Sequence, residues 1–396
     1  MTFHPTKIHL FTPGPTSVPD EVLRAMSAPV IHHRTVAFQQ VLSRVLAGVA
    51  RVIDTTNDIV MFTSSGTGAM ESAVANLVQP GDEVVVASFG RFGERWAELA
   101  TRYGATVHHH ATEWGQRPDP QSVATYVAEH PNARVVFTTQ SETSTGTVSD
   151  TAALASAIRQ TDGGSNRVLV LDTISGLGAA ELHADAEGWD VVVTGSQKAL
   201  MVPPGLAFAS VSPAAEQWAT SRDARGFYFD WGKGLAASRK QPPSTPFTPA
   251  LTLVIGLDIA LRMMLEDEGM DAVYARHVRH GRAVRAAVAA LDLELFGPDD
   301  DSSCVLTAVR VPDEMDGTKI PAKLKEYGVT IAGGQAHMKG RIIRLGHCGW
   351  MNDFDVVTCI AALERGLTEL GMNINPGAGV AAAQQVLINA AVEVVS

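Results

Sequence analysis

The chain has 396 residues, which is long enough for two domains or for one large domain with a smaller companion. Its 45% hydrophobic and 18% charged residues are typical of a globular protein with a filled core and argue against a disordered chain. A formal net charge of -11 does not suit binding to nucleic acid or to an anionic membrane surface.

The three cysteines, Cys304, Cys348 and Cys359, are widely spaced and form no CxxC motif. Disulfide scaffolds, zinc ribbons and iron–sulfur clusters are therefore poorly supported, and we predict no metal site. The N-terminus lacks the charged-then-apolar pattern of a signal peptide, and no stretch reaches about 18 uninterrupted apolar residues. We therefore expect a cytoplasmic protein in a reducing compartment.

Short apolar, β-branched runs alternate with helical patterns through the first half of the chain. Strands are predicted over 59–63, 83–88, 106–110, 134–139, 167–172, 190–195 and 206–212. Apolar residues at three- and four-residue spacing predict helices between most of them, for example over 68–78 and 93–103. The alternation predicts an α/β fold with a mostly parallel, seven-stranded sheet covered on both faces. Ligands of such sheets lie beyond the carboxyl ends of the strands.

The second half of the chain departs from this alternation. Residues 221–249 are rich in Arg, Gly, Pro and aromatic residues and predict a long exposed excursion, after which two long helices are expected over 249–268 and 271–291. A smaller α+β unit follows over about 294–370, with strands predicted near 305–311 and 341–345 and helices near 319–327 and 353–370. Residues 373–396 predict an accessory tail helix. The predicted organisation is an N-terminal segment (1–19) that packs with the small domain, a large domain (20–255), a small C-terminal domain (256–372) and the tail (373–396).

The motifs that suggest chemistry follow the predicted strands. The first strand ends in Ser65-Gly66-Thr67, which opens a helix and offers free N–H groups and hydroxyls suited to a phosphate. The motif is neither a Walker A sequence nor GxGxxG, and a plain helix cap is the alternative. Phe92, between two glycines, can stack on a flat ligand or can simply anchor its loop.

Three further features follow later strands. Residues 140–146 are a dense run of hydroxyl groups, and Asp172 ends a buried strand where a carboxylate needs a cationic or helix-capping partner. Lys198 precedes a Pro-Pro-Gly turn. It is either a surface lysine or a desolvated amine that can attack a carbonyl. Together these parts at one sheet edge are those that a pyridoxal phosphate site requires.

Eight stretches together carry a family resemblance: FTPGPT (11–16), TSSGTGAMESAVANLVQPGDEVVV (63–86), GRFGERW (90–96), SETSTG (141–146), LDTISGLGA (171–179), GSQKALMVPPG (195–205), TPFTPAL (245–251) and IIRLGHCG (342–349). On these stretches the chain resembles class V, fold-type I aminotransferases of the alanine–glyoxylate and serine–glyoxylate group. The resemblance spans nearly the whole chain. It implies the fold-type I architecture and pyridoxal 5'-phosphate as the cofactor.

The resemblance also implies individual roles. Lys198 is the implied Schiff-base lysine, and Asp172 is the implied partner of the pyridinium nitrogen. The other implied cofactor-binding residues are Ser65, Gly66, Thr67 and Gln197 at the phosphate, Phe92 and Thr143 at the ring, and Thr248, with Thr245 as its alternative, at the phosphate of a neighbouring subunit. Many relatives carry Trp in place of Phe92, so the stacking ring is smaller here. The cross-subunit contact implies a homodimer with active sites at its interface.

The implied substrate-binding residues are Arg344, whose guanidinium suits an α-carboxylate, and Gly14. A surface arginine at the end of an edge strand is the plain alternative for Arg344. The basic segment 32–35 resembles a position near the substrate entrance, whereas His347 and Cys348 are expected to be packing residues.

The implied reaction is a ping-pong transamination between a small amino acid, alanine or serine, and a 2-oxo acid, glyoxylate or pyruvate. Lys198 would move a proton from the donor α-carbon. A small donor is favoured because no second arginine is obviously placed for a distal carboxylate, although Arg222, Arg225 and Arg239 lie in the excursion. The alternatives are a ureidoglycine–glyoxylate or aminoethylphosphonate–pyruvate transaminase, or a non-catalytic subunit on this fold. A desulfurase is disfavoured because no cysteine lies on an obvious mobile loop.

Overall fold

The computed structural model describes residues 7–222, 226–302 and 304–395, with side chains through residue 390. The strands are β1 (His9–Phe11), β2 (Asp58–Phe62), β3 (Glu83–Ser88), β4 (Thr106–Ala111), β5 (Val135–Thr139), β6 (Ser141–Glu142), β7 (Thr147–Val148), β8 (Val168–Asp172), β9 (Val191–Gly195), β10 (Ala207–Val211), β11 (Leu306–Arg310), β12 (Val329–Gly333) and β13 (Ile342–Gly346).

The α-helices are α1 (Asp20–Met26), α2 (Val36–Ile53), α3 (Gly66–Leu77), α4 (Arg91–Arg102), α5 (Pro120–Ala128), α6 (Thr151–Arg159), α7 (Ala184–Glu187), α8 (Pro213–Thr220), α9 (Trp231–Ser238), α10 (Leu251–Arg262), α11 (Met270–Ala290), α12 (Lys319–Glu326), α13 (Asp353–Glu369) and α14 (Ala378–Val395). A π-helix, Met263–Glu268, follows α10, and single 3-10 turns occupy Gly164–Asn166 and Ala336–Met338.

The large domain is built on a seven-stranded sheet in the order β2-β10-β9-β8-β5-β3-β4. Strand β10 runs antiparallel to both of its neighbours, and the other strands are parallel to one another. Each of the seven predicted strands forms in this sheet, with ends that differ by one residue at most, so the predicted α/β fold is confirmed. The carboxyl ends of β2, β3, β5, β8 and β9 therefore meet at one edge.

Apolar side chains fill both faces of this sheet, because successive residues of a strand point to opposite sides. Val84 and Val86 pack in one buried cluster, whereas Val85 and Ala87 pack in the other. Helices α3, α4, α8 and α9 cover the first face, and α2, α5, α6 and α10 cover the second. Near-continuous apolar strands are thus the consequence of a sheet buried on both sides.

Helix α2 is, among the described residues, the one helix long and apolar enough to cross a membrane by length and composition. It begins at a Thr35 cap, whose hydroxyl accepts from the Phe38 amide. Its Leu42, Val45 and Val49 are fully buried in the large-domain core. The apolar face of α2 is therefore accounted for by packing within this chain.

The small domain is a four-stranded sheet in the order β1-β12-β13-β11, covered by α11, α13 and α14. Strand β1 pairs in parallel with β12, so residues 9–11 of the N-terminal segment pack with this domain. Strands β1 and β12 were not among the predicted strands. The tail helix α14 packs along α11, and its Leu387 is buried in the small-domain core. The tail is therefore part of the small domain rather than an appendage.

Two sequence expectations differ from the structure. The proposed domain boundary after residue 255 falls inside α10, whose Val254 and Leu257 are both buried in the large-domain core, so the chain leaves that domain near Met270. The predicted excursion over 221–249 is exposed only in part. Within it, α9 buries Trp231, whose indole Nε1 donates to Ser72 Oγ at 3.2 Å. Single apolar residues in a Gly- and Arg-rich stretch gave no periodicity from which this packing could be predicted.

Candidate active site

Lys198 lies in the loop that follows β9, beneath the N-terminal segment. Its side chain is 9% exposed, and Nζ donates to the Pro13 carbonyl at 2.5 Å. Burial lowers the pKa of this amine, and the positive charge of Arg344 lowers it further, against the opposing effect of Asp172. A neutral amine can act as a nucleophile or a base, which a surface lysine cannot do at neutral pH. The plain alternative of an exposed turn lysine is therefore excluded.

Gly14 touches this lysine directly. Its φ is +137°, and a Cβ built on it would stand 2.6 Å from Lys198 Nζ. The segment is tied down by Thr16, whose Oγ1 donates to the Lys198 carbonyl at 2.9 Å and whose amide donates to Gln197 O at 3.2 Å. Only glycine at position 14 leaves room for the lysine side chain.

Asp172 ends β8, the strand beside β9. It is 3% exposed, and Oδ1 accepts from the Ile174 amide at 2.8 Å. Burial raises the pKa of this carboxyl to about 7, and the nearby Glu142 adds to the rise. No arginine or lysine among the described residues forms an ion pair with Asp172. A buried carboxyl without a cationic partner is suited to receive a protonated ring nitrogen.

The predicted phosphate cup lies at the first turn of α3. Ser65 is the N-cap residue, but its side chain makes no capping hydrogen bond, which leaves N–H groups of the first turn for a ligand. A Cβ on Gly66 would lie 2.7 Å from the Ile174 side chain, so the backbone passes close to the end of β8. Gln197 completes the cup, because its amide oxygen and the Gly66 backbone both flank Gly195.

Several buried polar atoms at this edge have no partner in the described part of the chain, among them Gln197 Oε1 and Thr143 Oγ1. Unsatisfied polar atoms of this kind are uncommon and indicate a missing ligand or water. Together with the unpaired Asp172 carboxyl and the glycine-lined cup, they fit a flat, phosphorylated, ring-containing group. The donor set therefore fits pyridoxal phosphate.

Phe92, the predicted stacking ring, lies near the start of α4. Its ring is half-buried rather than part of the core. The wholly buried Glu142 fixes this turn, since Oε2 accepts from the amides of Phe92 and Gly93 at 2.9 and 3.0 Å. Oε1 accepts from the Ser144 hydroxyl at 2.7 Å. Glu142 thus connects the predicted stacking ring to the loop that carries Thr143.

Sequence reasoning did not single out Glu142, although it stands inside the SETSTG stretch. The sequence feature that could have identified it is a single acidic residue within a run of hydroxyl residues. A carboxylate buried there must accept hydrogen bonds from nearby amides or hydroxyls. Burial raises the pKa of Glu142, and its hydrogen bonds from Ser144 oppose that rise.

Arg344 reaches the site from β13 of the small domain. Its Nη1 donates to the Thr143 carbonyl at 2.6 Å and Nε donates to the Gly333 carbonyl at 2.8 Å. The residue is 5% exposed, and burial lowers its pKa to about 10. Strand β13 lies between β12 and β11, so the plain alternative of a surface arginine on an edge strand is excluded. Arg344 has no carboxylate partner among the described residues and can therefore accept one from a substrate.

Thr248 is not brought to these groups within one chain. It lines a surface groove with Val60, Thr63 and Tyr228, and the alternative, Thr245, donates its hydroxyl to the Phe247 carbonyl. Arg34, from the basic segment near the N-terminus, reaches the same stretch, where its Nη1 donates to the Ser244 hydroxyl at 2.6 Å. The predicted role of Thr248 toward a neighbouring subunit stays a prediction.

The two residues expected to pack do so. His347 is fully buried and hydrogen-bonds Thr307 Oγ1 at 3.0 Å, while burial lowers its pKa to about 3. Burial raises the pKa of the Cys348 thiol to about 11, which is unsuited to the thiolate chemistry of a desulfurase. Within the described residues, no group of three or more His, Cys, Asp or Glu side chains is placed to hold a metal ion.

The sequence profile of the family described as Aminotransferase class-V matches residues 8–347. The chain belongs to this family. The predicted resemblance is thereby confirmed, and with it the pyridoxal phosphate dependence that the geometry fits. The protein is a transaminase, and its fold is the fold-type I architecture.

Individual relatives carry several names. A "Soluble hydrogenase 42 kDa subunit" from Anabaena cylindrica is 41% identical over 389 residues, covering 97% of this chain and 99% of that protein. An "L-aspartate--glyoxylate aminotransferase" from Paracoccus denitrificans is 37% identical, with 95% of each chain covered. A "Serine--glyoxylate aminotransferase" from Methylorubrum extorquens is 35% identical, with 98% of this chain and 97% of that protein covered.

A solved structure of ureidoglycine–glyoxylate aminotransferase from Bacillus subtilis superposes with a TM-score of 0.91 and is 28% identical. It covers 98% of this chain and 100% of its own. The class V aminotransferase fold is therefore shared over the whole length, whereas the substrates named for these proteins differ.

Proposed function

We propose that this class V aminotransferase transfers the amino group of a small amino acid, serine or alanine, to glyoxylate or pyruvate. The observation that carries the proposal is Arg344, a buried guanidinium held by two carbonyl oxygens with no carboxylate partner among the described residues. It is suited to one α-carboxylate. The names of the serine– and aspartate–glyoxylate relatives support glyoxylate as the acceptor.

The arginines considered for a distal carboxylate support a small donor. Arg222 is paired with Asp82, and Arg239 donates to Glu216 at 2.7 Å and to Asp58 at 2.7 Å. Arginines that already neutralise carboxylates gain little from a substrate carboxylate. Arg225 lies outside the described residues. Arg34 remains, since its guanidinium bonds a hydroxyl and a carbonyl and pairs with no carboxylate among the described residues.

The chain's own groups divide the work of transamination. Pyridoxal phosphate, when bound, supplies the electron sink that stabilises negative charge at the donor α-carbon. Lys198 Nζ, whose pKa is lowered by burial, removes the proton from that carbon and returns it during the second half-reaction. Arg344 orients the α-carboxylate, and the Pro13–Gly14 segment covers the lysine and excludes water.

Single half-reactions test the choice of donor. The holoenzyme is mixed with serine, alanine, aspartate, glutamate or aminoethylphosphonate alone, and loss of the cofactor's visible absorbance band is followed. We expect serine and alanine to react fastest, with glyoxylate or pyruvate reversing the change. Reaction with dicarboxylic donors alone would contradict the proposal. Arg34→Gln is the matched control: it should leave the serine reaction unchanged, and a selective loss with aspartate would identify Arg34 as a distal clamp.

We further propose that the active form is a homodimer in which Thr248 completes the site of the neighbouring subunit. An exposed aromatic cluster beside Thr248 supports this arrangement: Phe227 is 76% exposed, and its ring lies 5.8 Å from that of Phe247. Sedimentation of the holoenzyme should give twice the chain mass. A fully active monomer, or a Thr248→Val variant with unchanged cofactor affinity, would contradict the proposal.

A further inference from the structure

Arg95 connects two of the predicted cofactor contacts. It lies one turn after Phe92 on α4, and its guanidinium carbon stands 4.8 Å from the centre of the Phe92 ring. Its Nη1 donates to Thr67 Oγ1, in the phosphate cup at the start of α3, at 3.0 Å. One side chain therefore spans from the stacking ring to the cup, and none of the sequence motifs marks it as functional.

Arg95 forms no direct ion pair with a carboxylate in the described part of the chain, although its charge helps to lower the pKa of Glu98. Arg91, on the same helix, shows the contrast: its Nη1 donates to Glu98 Oε1 at 2.7 Å. Arg95 makes one hydrogen bond, to a neutral hydroxyl, although a guanidinium carries five donors. An arginine left in this state beside an anion cup is suited to a phosphate.

The position of Arg95 also bears on Asp172. Its positive charge lowers the pKa of that carboxyl, against the rise caused by burial. The same guanidinium therefore favours negative charge at the cup and at the end of β8. Any cation at this position would lower the pKa of Asp172 in the same way, so the contacts with Phe92 and Thr67 carry the argument for a role in cofactor binding.

We propose that Arg95 is a positioning residue for the phosphate end of the cofactor. It holds the Thr67 hydroxyl toward the cup. It also adds a full positive charge, whereas the N-terminus of α3 supplies only the partial positive charge of the helix dipole. Its stacking on Phe92 keeps the guanidinium in place. The inference rests on the family's use of pyridoxal phosphate and is independent of which amino acid is the donor.

The test compares two ligands that differ only in the phosphate. The full chain is freed of cofactor, and the affinities for pyridoxal phosphate and for pyridoxal are measured by titration without any substrate. In Arg95→Met the side-chain stem that covers Phe92 is retained while the charge is lost. We expect pyridoxal phosphate to bind about 10- to 100-fold more weakly, as for loss of one hydrogen bond to a charged group, and pyridoxal to bind nearly as before.

Two further variants separate this role from a structural one. Arg95→Lys keeps the charge without the fork and should recover part of the affinity for pyridoxal phosphate alone. Arg102→Met, at the exposed far end of α4, is the control and should change neither affinity. If Arg95→Met lost equal affinity for pyridoxal phosphate and for pyridoxal, the proposal would be overturned in favour of a role through the Phe92 ring. Unchanged affinity for both ligands would also overturn it.

A double-mutant cycle with Thr67→Val completes the test. If Arg95 acts through the Thr67 hydroxyl, the two losses of affinity for pyridoxal phosphate should be clearly less than additive. Fully additive losses would show that Arg95 does not act through Thr67. Thermal midpoints of the cofactor-free variants, expected to stay near that of the parent, establish that each chain is folded.

Discussion

The two domains treat buried charge differently at the site they share. In the large domain, burial lowers the pKa of Lys198 and raises that of Asp172 to about 7, so in both groups burial favours the neutral form. In the small domain, Arg344 is buried as well, yet its pKa, lowered to about 10, leaves it charged. The large domain thus provides groups whose protonation can change, and the small domain provides a fixed charge.

The physical reason lies in the side chains and their partners. An amine starts from a pKa of 10.5 and makes one hydrogen bond to a carbonyl, whereas a guanidinium starts from 12.5 and makes two. Chemistry that moves a proton needs the first kind of group, and recognition of a carboxylate needs the second. Variants in the two domains should therefore fail in different ways.

The largest effect is expected for Lys198→Ala. If Lys198 has the predicted Schiff-base and proton-transfer roles, removing its amine should lower kcat by at least about 10³-fold, near the upper range for general acid–base groups. The thermal midpoint of the cofactor-free chain should fall little, because a buried amine is itself costly. Activity assays and melting curves measure both. Retention of more than a small fraction of activity would contradict the assignment.

Asp172→Asn should reduce kcat by roughly 10²-fold, since a neutral amide cannot stabilise a protonated ring nitrogen as a carboxylate does. The KM for the amino donor should change far less, because Asp172 is on the cofactor side of the site. Steady-state kinetics with saturating cofactor separate the two parameters. A rise in KM with kcat unchanged would place Asp172 with the substrate groups instead.

Arg344→Gln should affect KM more than kcat, unlike Asp172→Asn. Loss of a charged hydrogen bond to the substrate carboxylate should lower kcat/KM about 10- to 100-fold, mainly through KM. The affinity for pyridoxal phosphate should stay within about 3-fold of the parent, within the usual scatter of such measurements. Titration of the cofactor-free variant checks this. A large loss of cofactor affinity would mean that Arg344 mainly holds the Thr143 loop.

Gly14→Ala tests the close contact between the N-terminal segment and the Lys198 side chain. The added methyl would meet Lys198 Nζ at 2.6 Å, and φ of +137° is unfavourable for alanine. We expect a loss of activity of about 10-fold, with strain of about 1–3 kcal/mol in the free energy of unfolding. Gly269→Ala is a control for strain, since its φ is +85° and nothing lies near its Cβ. An equal loss of activity in both variants would show that the close contact between Gly14 and Lys198 is not the cause.

The smallest effect concerns pH and the cofactor-free chain. Because burial raises the pKa of Asp172 from 3.8 to about 7, the native state binds more protons than the unfolded state between those values. The contribution of this group to the free energy of unfolding is therefore present at low pH and falls as the pH rises through the window. Asp172→Asn removes the titration. Urea unfolding of parent and variant is measured at several pH values between about 4 and 7. The free energy of unfolding of the parent minus that of the variant should fall as pH rises. A flat or rising value of this difference would contradict the prediction.

The fold of the large domain could be predicted from sequence because each strand is a local apolar run bounded by turn residues. Parallel strands must bring their carboxyl ends to one edge, so Ser65, Asp172 and Lys198 could be grouped from their places after successive apolar runs. The boundary of the large domain could not be predicted, because α10 is equally apolar on either side of residue 255 and its assignment depends on its packing against α1 and α2.

The sequence by itself determined the family, the sheet and the residues that follow its strands, since these depend on short-range patterns and motifs. Tertiary structure alone decided how the parts meet: Pro13 lies on Lys198, 185 positions away, and Arg344 bonds the Thr143 carbonyl, 201 positions away. It also decided that Glu142 is buried and that Arg95 joins the stacking ring to the cup. No local periodicity encodes such contacts, because they arise only when separate elements pack and exclude water.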